Sequence, residues 1–379
     1  MEYKKLGDIA TYINGYAFKP EQRGSEGLPI IRIQDLTGNA YDLGYYNGDY
    51  PKKIELNDGD VLISWSASLG VYLWNRGKAL LNQHIFKVVF DKVEIDKFYF
   101  MYAVEYNLDK MSLKTHGATM KHITKKDFDN VVIPYPDLDY QKDISYRLTS
   151  LKRIIEKYQE QLDLLDELIK ARFVEMFGDP NIEFKYSSVK FNDLVARMTK
   201  GPFGSDMKKD LFVPKGEDTY KVYIQINAIQ KNQSLGEYYI SKEYFDRKVS
   251  RFELFPNDYI ITCDGTLGKY LKLDENMEKG VISPSLLRLT LQNDKINDKY
   301  FENIWDFYML GLMKKEARNA CLVHLPSAKK IGEISIPVPP LELQNQFASF
   351  VQEIDKSRLR ELLAIKHIKL LLNDFGLLY

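Results

Sequence analysis

The polar side chains that could do chemistry form no recognisable catalytic constellation. The five histidines show no metal-ligand spacing, and Cys263 and Cys321 lie far apart in the sequence. Ser64, Ser66 and Ser68 alternate as the residues of a strand do, without the glycine-flanked turn of a nucleophilic serine. The chain also lacks the Gly-x-x-x-x-Gly-Lys-Ser/Thr loop that cradles phosphates. We therefore expect no catalytic residue, no metal and no cofactor.

Side chains that pair hydrogen-bond donors with acceptors recur instead in loops and at predicted strand ends. Such side chains read the edges of DNA bases, while lysine and arginine also bind phosphates. In the first half the candidates are Arg32, Gln34 and Asp35 at a strand end, and Lys114, His116, Thr119, Lys121 and His122 in a late basic loop. In the second half they are Lys208, Lys209, Gln225, Asn227, Arg318, Asn319 and His324. Ordinary solvated loops share this composition, so the late loops are better candidates than any single side chain.

Net charge complicates this interpretation. The chain carries 53 basic and 53 acidic residues, so its formal net charge is zero. A protein that binds DNA alone usually has a basic excess, because cations on the protein neutralise the phosphates. Either the chain does not bind DNA, or partner proteins supply part of the phosphate contact.

Length and composition indicate two domains. At 379 residues the chain is too long for one ordinary core, and 45% hydrophobic residues are enough for two. Two cysteines argue against a disulfide framework, and no hydrophobic signal or stretch of about 20 apolar residues is present. These features predict a cytoplasmic protein.

Two long helices must position the candidate loops. In the stretch from Gln141 to Met176, apolar residues recur in steps of three and four, with Arg172 as the one polar interruption. The seam residues are Leu148, Leu151, Ile155, Tyr158, Leu162, Leu165, Ile169 and Met176. This spacing is typical of a coiled coil. Outside the seam, the apolar residues that would either dock partner helices or pack on the globular domains are Ile154, Leu164, Leu168 and Phe173, with Leu363 and Leu370 on a second helix.

An internal repeat supplies that second helix. A shift of 203 residues carries the motif Ile-Pro-x-Pro-x-Leu-x-x-Gln at 133–141 onto the same motif at 336–344, and carries most seam residues onto apolar ones. Earlier in each half, Tyr99-Phe100 matches Tyr300-Phe301 and His122 matches His324 at offsets of 201 and 202. An offset shared by a motif, a helix and a globular region indicates a duplicated unit.

Two copies of a strand ending in Ile-Pro-x-Pro, each followed by a long helix, resemble the specificity subunit of type I restriction-modification systems. The resemblance covers essentially the whole chain. It implies a non-catalytic subunit that binds double-stranded DNA together with two methyltransferase subunits and with restriction subunits. It also implies that those partners, and not this chain, bind S-adenosylmethionine and ATP.

The expected fold class is α+β, with two mixed α/β target recognition domains. They are joined by two long helices that pair as an antiparallel coiled coil, in a pseudo-twofold internal repeat. The expected bounds are 1–140 and 179–341 for the recognition domains, and 141–178 and 342–379 for the helices. Such helices would set the distance between two DNA half-sites about 34 to 36 Å apart.

The late loops of the two halves differ in sequence. KTHGATMKHIT in the first half corresponds to EARNACLVHLP in the second. Matching half-sites would require matching side chains, so this difference predicts an asymmetric, interrupted DNA site.

Two other functions remain open. One is a methyltransferase or nuclease with its own recognition domain, which the absence of an Asn-Pro-Pro-aromatic motif opposes. The other is a coiled-coil scaffold without a DNA role, which the zero net charge favours.

Overall fold

The structure is a computed structural model that describes residues 2–38, 44–114, 124–179, 182–231, 236–319 and 324–376. The chain divides into two compact units. Unit 1 contains Met1–Glu160 and Leu362–Tyr379, and unit 2 contains Gln161–Glu361. In the described part of the chain, no helix has both the length and the apolar character needed to cross a membrane.

Unit 1 mixes short strands with helices, as the α+β prediction requires. Its strands are β1 (Tyr3–Lys5), β2 (Thr11–Asn14), β3 (Leu28–Ile31), β4 (Gly44–Tyr46), β5 (Glu55–Leu56), β6 (Val61–Ser64), β7 (Gly70–Leu73), β8 (Ala79–Leu81), β9 (Ile85–Val89) and β10 (Val132–Pro134). Its helices are α1 (Leu6–Ile9), α2 (Ile33–Leu36), α3 (Lys97–Lys114), α4 (Lys125–Asp129) and the first part of α5 (Leu138–Phe177).

Two four-stranded sheets form the body of unit 1. One has the order β2-β9-β6-β7 and is antiparallel, and the other has the order β4-β3-β8-β5 with β3 and β8 parallel. Strand β1 pairs with β10 beside them. The first sheet packs on α3 through a core that includes Ile63, Phe86, Tyr99 and Phe100. The strands are apolar on the faces they bury, which stabilises both layers.

Unit 2 repeats this arrangement. Its strands are β11 (Gly178–Asp179), β12 (Glu183–Phe184), β13 (Ser188–Lys190), β14 (Val195–Lys200), β15 (Thr219–Tyr223), β16 (Tyr238–Ser241), β17 (Tyr259–Thr262), β18 (Tyr270–Lys272), β19 (Gly280–Ile282), β20 (Leu286–Leu291) and β21 (Ser335–Pro337). Its helices are α6 (Gln225–Ala228), α7 (Lys242–Tyr244), α8 (Asp298–Ile304), α9 (Leu310–Asn319), α10 (Ala328–Gly332) and most of α11 (Leu341–Gly376).

The sheet orders of unit 2 match those of unit 1, except that the smaller sheet of unit 2 has three strands and β5 has no counterpart among its named strands. The antiparallel sheet is β14-β20-β17-β18, and the smaller sheet is β16-β15-β19 with β15 and β19 parallel. Strand β13 pairs with β21 as β1 pairs with β10. The internal repeat predicted from the sequence offsets is therefore present in the topology.

The repeated proline motif has a structural explanation in both units. Gln141 and Gln344 are buried in the first turns of α5 and α11. Gln141 donates to the carbonyl of Pro136 at 2.8 Å and accepts from the backbone N–H of Asp96 at 2.9 Å. Gln344 donates to Pro339 and accepts from Asn297, each at 2.8 Å. Each glutamine thus ties the start of a long helix to its own globular unit.

The predicted seam is the least exposed stripe of α5. All eight seam residues are buried or half-buried, whereas Ile154, Leu164 and Leu168 are 41%, 61% and 46% exposed. On α11, Leu363 and Leu370 are also more than half exposed. These five residues leave apolar side chains in contact with solvent.

Phe173 differs from the other residues proposed for the outer face. It is fully buried in unit 2, where its ring stacks on Tyr300 at 5.7 Å and contacts Phe177 and Phe347 edge-on at 5.1 and 5.6 Å. The proposal that Phe173 docks a partner helix is therefore wrong. The alternative, packing on the recognition domain, holds at this position.

Within unit 2 the helix segments run antiparallel. Phe177 contacts Phe347 at 5.4 Å, the guanidinium of Arg172 lies 5.9 Å from the ring of Phe350, and Arg358 forms an ion pair with Asp166. Residue numbers fall along α5 as they rise along α11. Arg358, a polar interruption of the second seam, is thereby paired across the two helices.

Candidate nucleic-acid interface

In unit 1 several loops gather where the strands of the two sheets end. Gly15 N–H donates to Ile85 at 3.1 Å, Asn82 N–H to Ile31 at 3.1 Å, and Trp65 N–H to His84 at 3.2 Å. These bonds hold together four segments that we name the first rim, residues 15–18, 32–37, 65–69 and 82–84. Loops carried on strand ends are common positions for recognition residues, because the sheets hold them rigidly.

Unit 2 has the same construction. Gly201 N–H donates to Leu286 at 2.8 Å, Ser283 N–H to Tyr223 at 3.0 Å, and Cys263 N–H to Ser285 at 2.8 Å. We name the joined segments the second rim, residues 201–204, 224–231, 263–268, 283–285 and 324–326. Residues 324–326, the last of the late loop, belong to it, since Leu325 N–H donates to the Cys263 carbonyl at 2.8 Å.

Arg32, Gln34 and Asp35 lie in the first rim, but not at a strand end as predicted. Strand β3 ends at Ile31, and Arg32 is the N-cap of α2. The helix forms because one carboxylate oxygen of Asp35 accepts from the backbone N–H of Arg32 at 2.8 Å and from its Nε at 3.2 Å. Asp35 is buried, whereas Gln34 is exposed. Asp35 therefore holds Arg32, while Gln34 faces solvent.

The first rim also contains polar groups that were not selected from the sequence. The side chain of Asn82 is buried, and neither its Oδ1 nor His84 Nδ1 has a hydrogen-bond partner among the described residues. His84 and Ala67 have φ angles of 72° and 59°, in the left-handed region that non-glycine residues rarely adopt. Strained backbone and unsatisfied buried groups concentrate at functional sites.

Gln225 and Asn227 lie in the second rim on α6, which follows β15 after Tyr223. They too are in a short helix and not at a strand end. Gln225 Nε2 donates to Thr266 Oγ1 at 3.4 Å. Asn227 Nδ2 donates to the Gly236 carbonyl, so this side chain closes its own loop.

His324 contacts the turn 263–268 of the second rim. Its Nδ1 pairs with Asp264, and the two residues also form an antiparallel β-bridge. The turn 263–268 therefore contacts both Gln225 and His324, two candidates separated by 99 positions in the sequence.

The other candidates lie on an exposed segment, at helix ends, or outside the described residues. Lys208 and Lys209 are exposed; Lys208 is the N-cap, and Lys209 the first residue, of a short 3-10 helix, Lys209–Leu211, that follows another at Gly204–Asp206. Lys114 ends α3, and Arg318 and Asn319 end α9, but their side chains lie outside the described residues. His116, Thr119, Lys121 and His122 also lie outside them.

The polar groups that the structure describes in the rims suit recognition. Burial raises the pKa of Cys263 to about 12, so the one described cysteine is a protonated thiol at neutral pH. Among the described residues, no group of three or more His, Cys, Asp and Glu side chains is placed to hold a metal. Exposed amides, hydroxyls and cations remain, which are the groups that bind base edges and phosphates.

Thr266 and Gln230 are further rim residues that are not among the candidates predicted from the sequence. The available signal was the offset of 198 that aligns Ser68-Leu69-Gly70 with Thr266-Leu267-Gly268, because it indicates the same turn in both units.

Comparisons with known proteins agree with this architecture. Residues 1–165 and 204–367 match the family model of the type I restriction modification DNA specificity domain. The EcoBI type I restriction enzyme specificity subunit of Escherichia coli is 22% identical over 390 residues, which cover 92% of this chain and 78% of that protein. The MjaVIII specificity subunit of Methanocaldococcus jannaschii is also 22% identical, over 93% and 86% of the two chains. The S subunit structure from M. genitalium has a TM-score of 0.54 at 13% identity over 99% and 94% of the two chains, which shows a shared fold.

Proposed function

This chain belongs to the type I restriction-modification DNA specificity family, and from that premise we propose that it is the non-catalytic subunit that selects the DNA sequence. The observation that carries the proposal is the pair of rims. The same loop arrangement is built twice on the same scaffold, yet the polar side chains on it differ. Two such surfaces suit an asymmetric bipartite DNA site, with one half read by each unit.

In the first unit, we propose that Arg32 and Gln34 face DNA. Asp35 accepts from the backbone N–H of Arg32 and from its Nε, and the bond from Nε orients the guanidinium. A preorganised guanidinium loses less side-chain entropy on binding, so it discriminates better between bases. Asp35 is then a positioning residue. The late-loop residues from Lys114 to His122 remain candidates for the same half-site.

In the second unit, Gln225 and His324 are the corresponding candidates, since both contact the turn 263–268. Lys208 and Lys209 would bind phosphates, because exposed lysines contribute mainly sequence-independent attraction. Arg318 and Asn319 remain candidates from the late loop. Asn227 contributes by closing the loop through Gly236.

The long helices would set the distance between the two half-sites. We propose an antiparallel coiled coil over their length, with recognition domains at 1–140 and 179–341 and helices at 141–178 and 342–379. The low exposure of the seam and the antiparallel contacts within unit 2 support this pairing. The exposed Ile154, Leu164, Leu168, Leu363 and Leu370 would dock two methyltransferase subunits.

Partners also account for the zero net charge. Two methyltransferase subunits that contact the same DNA would supply cations that this chain lacks, and restriction subunits would join the assembled complex. S-adenosylmethionine and ATP would bind to those partners.

Methylation mapping tests the proposal. The chain is co-expressed with the methyltransferase subunit of its own system in a host without DNA methylation, and modified bases are located by long-read sequencing. We expect one interrupted motif with two unlike halves. Exchange of residues 1–140 with the matching domain of another specificity subunit is expected to change one half only. A soluble complex that leaves the DNA unmethylated would contradict the proposal and favour a scaffold.

A further inference from the structure

Two glutamine side chains converge on one threonine in the second rim. Thr266 Oγ1 accepts from Gln225 Nε2 at 3.4 Å and from Gln230 Nε2 at 3.2 Å. Gln225 is the first residue of α6 and Gln230 follows the end of the helix, so this short helix brings residues five positions apart to the same hydroxyl. All three side chains are half-buried or exposed.

Hydrogen bonds to the side chain of Thr262 hold the turn that carries Thr266. Thr262 is buried at the end of β17, and its hydroxyl donates to the Thr266 carbonyl and accepts from Lys269 N–H at 3.0 Å. Gly265 has a φ of +69°, which lets the backbone turn sharply there. The backbone of Thr266 is therefore held in place by Thr262, and the hydroxyl of Thr266 orients the two glutamine amides.

The fold does not require the amide of Gln225. Unit 1 builds the matching turn with the matching bond, in which Ser64 Oγ donates to the Ser68 carbonyl. There the first residue of the short helix is Ile33, where α6 begins with Gln225. The same scaffold thus forms with an isoleucine at that position, so Gln225 serves something other than the turn.

Their chemistry identifies what they would bind. Each glutamine uses one N–H on Thr266 and keeps a carbonyl oxygen and a second N–H. A carboxamide presents an adjacent acceptor and donor, the complement of adenine N6–H and N7 in the major groove. Building on the proposed function, we infer that the Gln225–Thr266–Gln230 cluster reads an adenine in the half-site of unit 2.

The test uses the complex of the full chain with its methyltransferase subunit. Gln225→Met and Gln230→Met keep side-chain length and remove the amide, and Gln346→Met alters an exposed glutamine on α11 as a matched control. Methylation motifs are mapped for each variant, and binding is measured on duplexes that carry each base pair at every position of that half-site. We expect at least one rim variant to lose about tenfold or more of its preference for A·T at one position. The other half-site and the control are expected to be unchanged.

Three results would overturn the inference. They are unchanged discrimination in both rim variants, relaxation only at a G·C position, and equal relaxation in both half-sites. In each case methylation of the wild-type motif would still support the proposed function. Absence of methylation by the wild-type complex would instead overturn the proposed function, and the inference with it.

Discussion

The carbonyl oxygen of Ser283 lies 2.0 Å from the point where a Cβ atom on Gly201 would stand. Gly15 has the same relationship to the carbonyl of Asn82 in unit 1, also at 2.0 Å. Real Cβ atoms do not approach a carbonyl oxygen so closely, so at each rim two backbone segments cross at a distance that only glycine permits. Both glycines support the strand ends that carry the rims.

Gly201→Ala is therefore expected to destabilise unit 2. The added methyl group would clash with the backbone carbonyl of Ser283. The N–H of Ser283 is hydrogen-bonded to Tyr223, so this backbone cannot move aside as a flexible side chain would. We expect a loss of about 3 kcal/mol in the free energy of unfolding. Gly204→Ala is the control, because no described atom lies within 4 Å of its Cβ position. Calorimetry of the full chain measures both, and an equal effect of the two changes would show that Gly201 is replaceable.

Gln344→Leu tests the repeated motif at the start of α11. The change keeps the side chain's size but leaves the N–H of Asn297 and the carbonyls of Pro339 and Lys295 without their present partner. Because Gln344 is fully buried, water does not replace these bonds, and we expect a loss of about 3 kcal/mol in unfolding free energy. Denaturant unfolding compares this variant with Gln346→Leu, which is exposed and expected to be neutral. Full stability of Gln344→Leu would refute the anchoring role.

The features that the sequence predicts best depend on patterns local to the chain. A seam that repeats every three or four residues can be identified from helical geometry alone. All eight seam positions of α5 are buried or half-buried. The proline motif was visible because it occurs twice. Its cause was not, since Gln141 and Gln344 act on residues about 45 positions away.

Features that depend on tertiary contacts were harder to predict. Gln34 and Asp35, predicted at a strand end, lie in a short helix, because β3 ends at Ile31 and the side chain of Asp35 accepts from the backbone N–H of Arg32. For Phe173 the sequence leaves partner docking and packing on a globular domain both open, since helical periodicity cannot distinguish an exposed face from one buried in a core. Gln230 and Thr266 are 36 positions apart in the sequence and are brought into contact by the fold, so no local sequence pattern predicts the pair.

Aspartate substitutions on α5 test the helix seam. Leu162 and Leu165 are half-buried on the seam, whereas Leu164 is 61% exposed. The double change Leu162→Asp and Leu165→Asp is expected to lower the unfolding free energy by about 3 kcal/mol, because carboxylates would be desolvated without partners. Thermal unfolding followed by circular dichroism measures it. Leu164→Asp is expected to keep wild-type stability and weaken only capture of the methyltransferase subunit. Equal stability of all variants would refute the seam.

A network of ion pairs links parts of the three-stranded sheet β16-β15-β19 of unit 2. Lys221 on β15 binds Glu278 at 3.0 Å and also pairs with Glu237, and Lys215 binds Glu278 at 2.7 Å. Tyr239 donates to both carboxylates, at 2.7 and 3.2 Å. The hydrogen bond from Lys215, followed by those from Lys221 and Tyr239, lowers the pKa of Glu278 to about 2. The network thus links the loop before β19 to strands β15 and β16.

This pKa shift predicts an acid-sensitive contribution to stability. A carboxylate with a pKa of about 2 when folded and 4.5 when unfolded stabilises the protein fully above pH 4.5, and the contribution is lost as pH falls towards 2. Because the side chain is 38% exposed, solvent screening limits the effect to about 1 kcal/mol. Glu278→Gln is therefore expected to be less stable than wild type at pH 6, with the difference shrinking at pH 3. Urea unfolding at pH 6 and pH 3 measures the difference in unfolding free energy between variant and wild type, and Glu275→Gln, a change at an exposed residue, is the control. A difference that stays constant between the two pH values would show that the Glu278 charge does not stabilise the sheet.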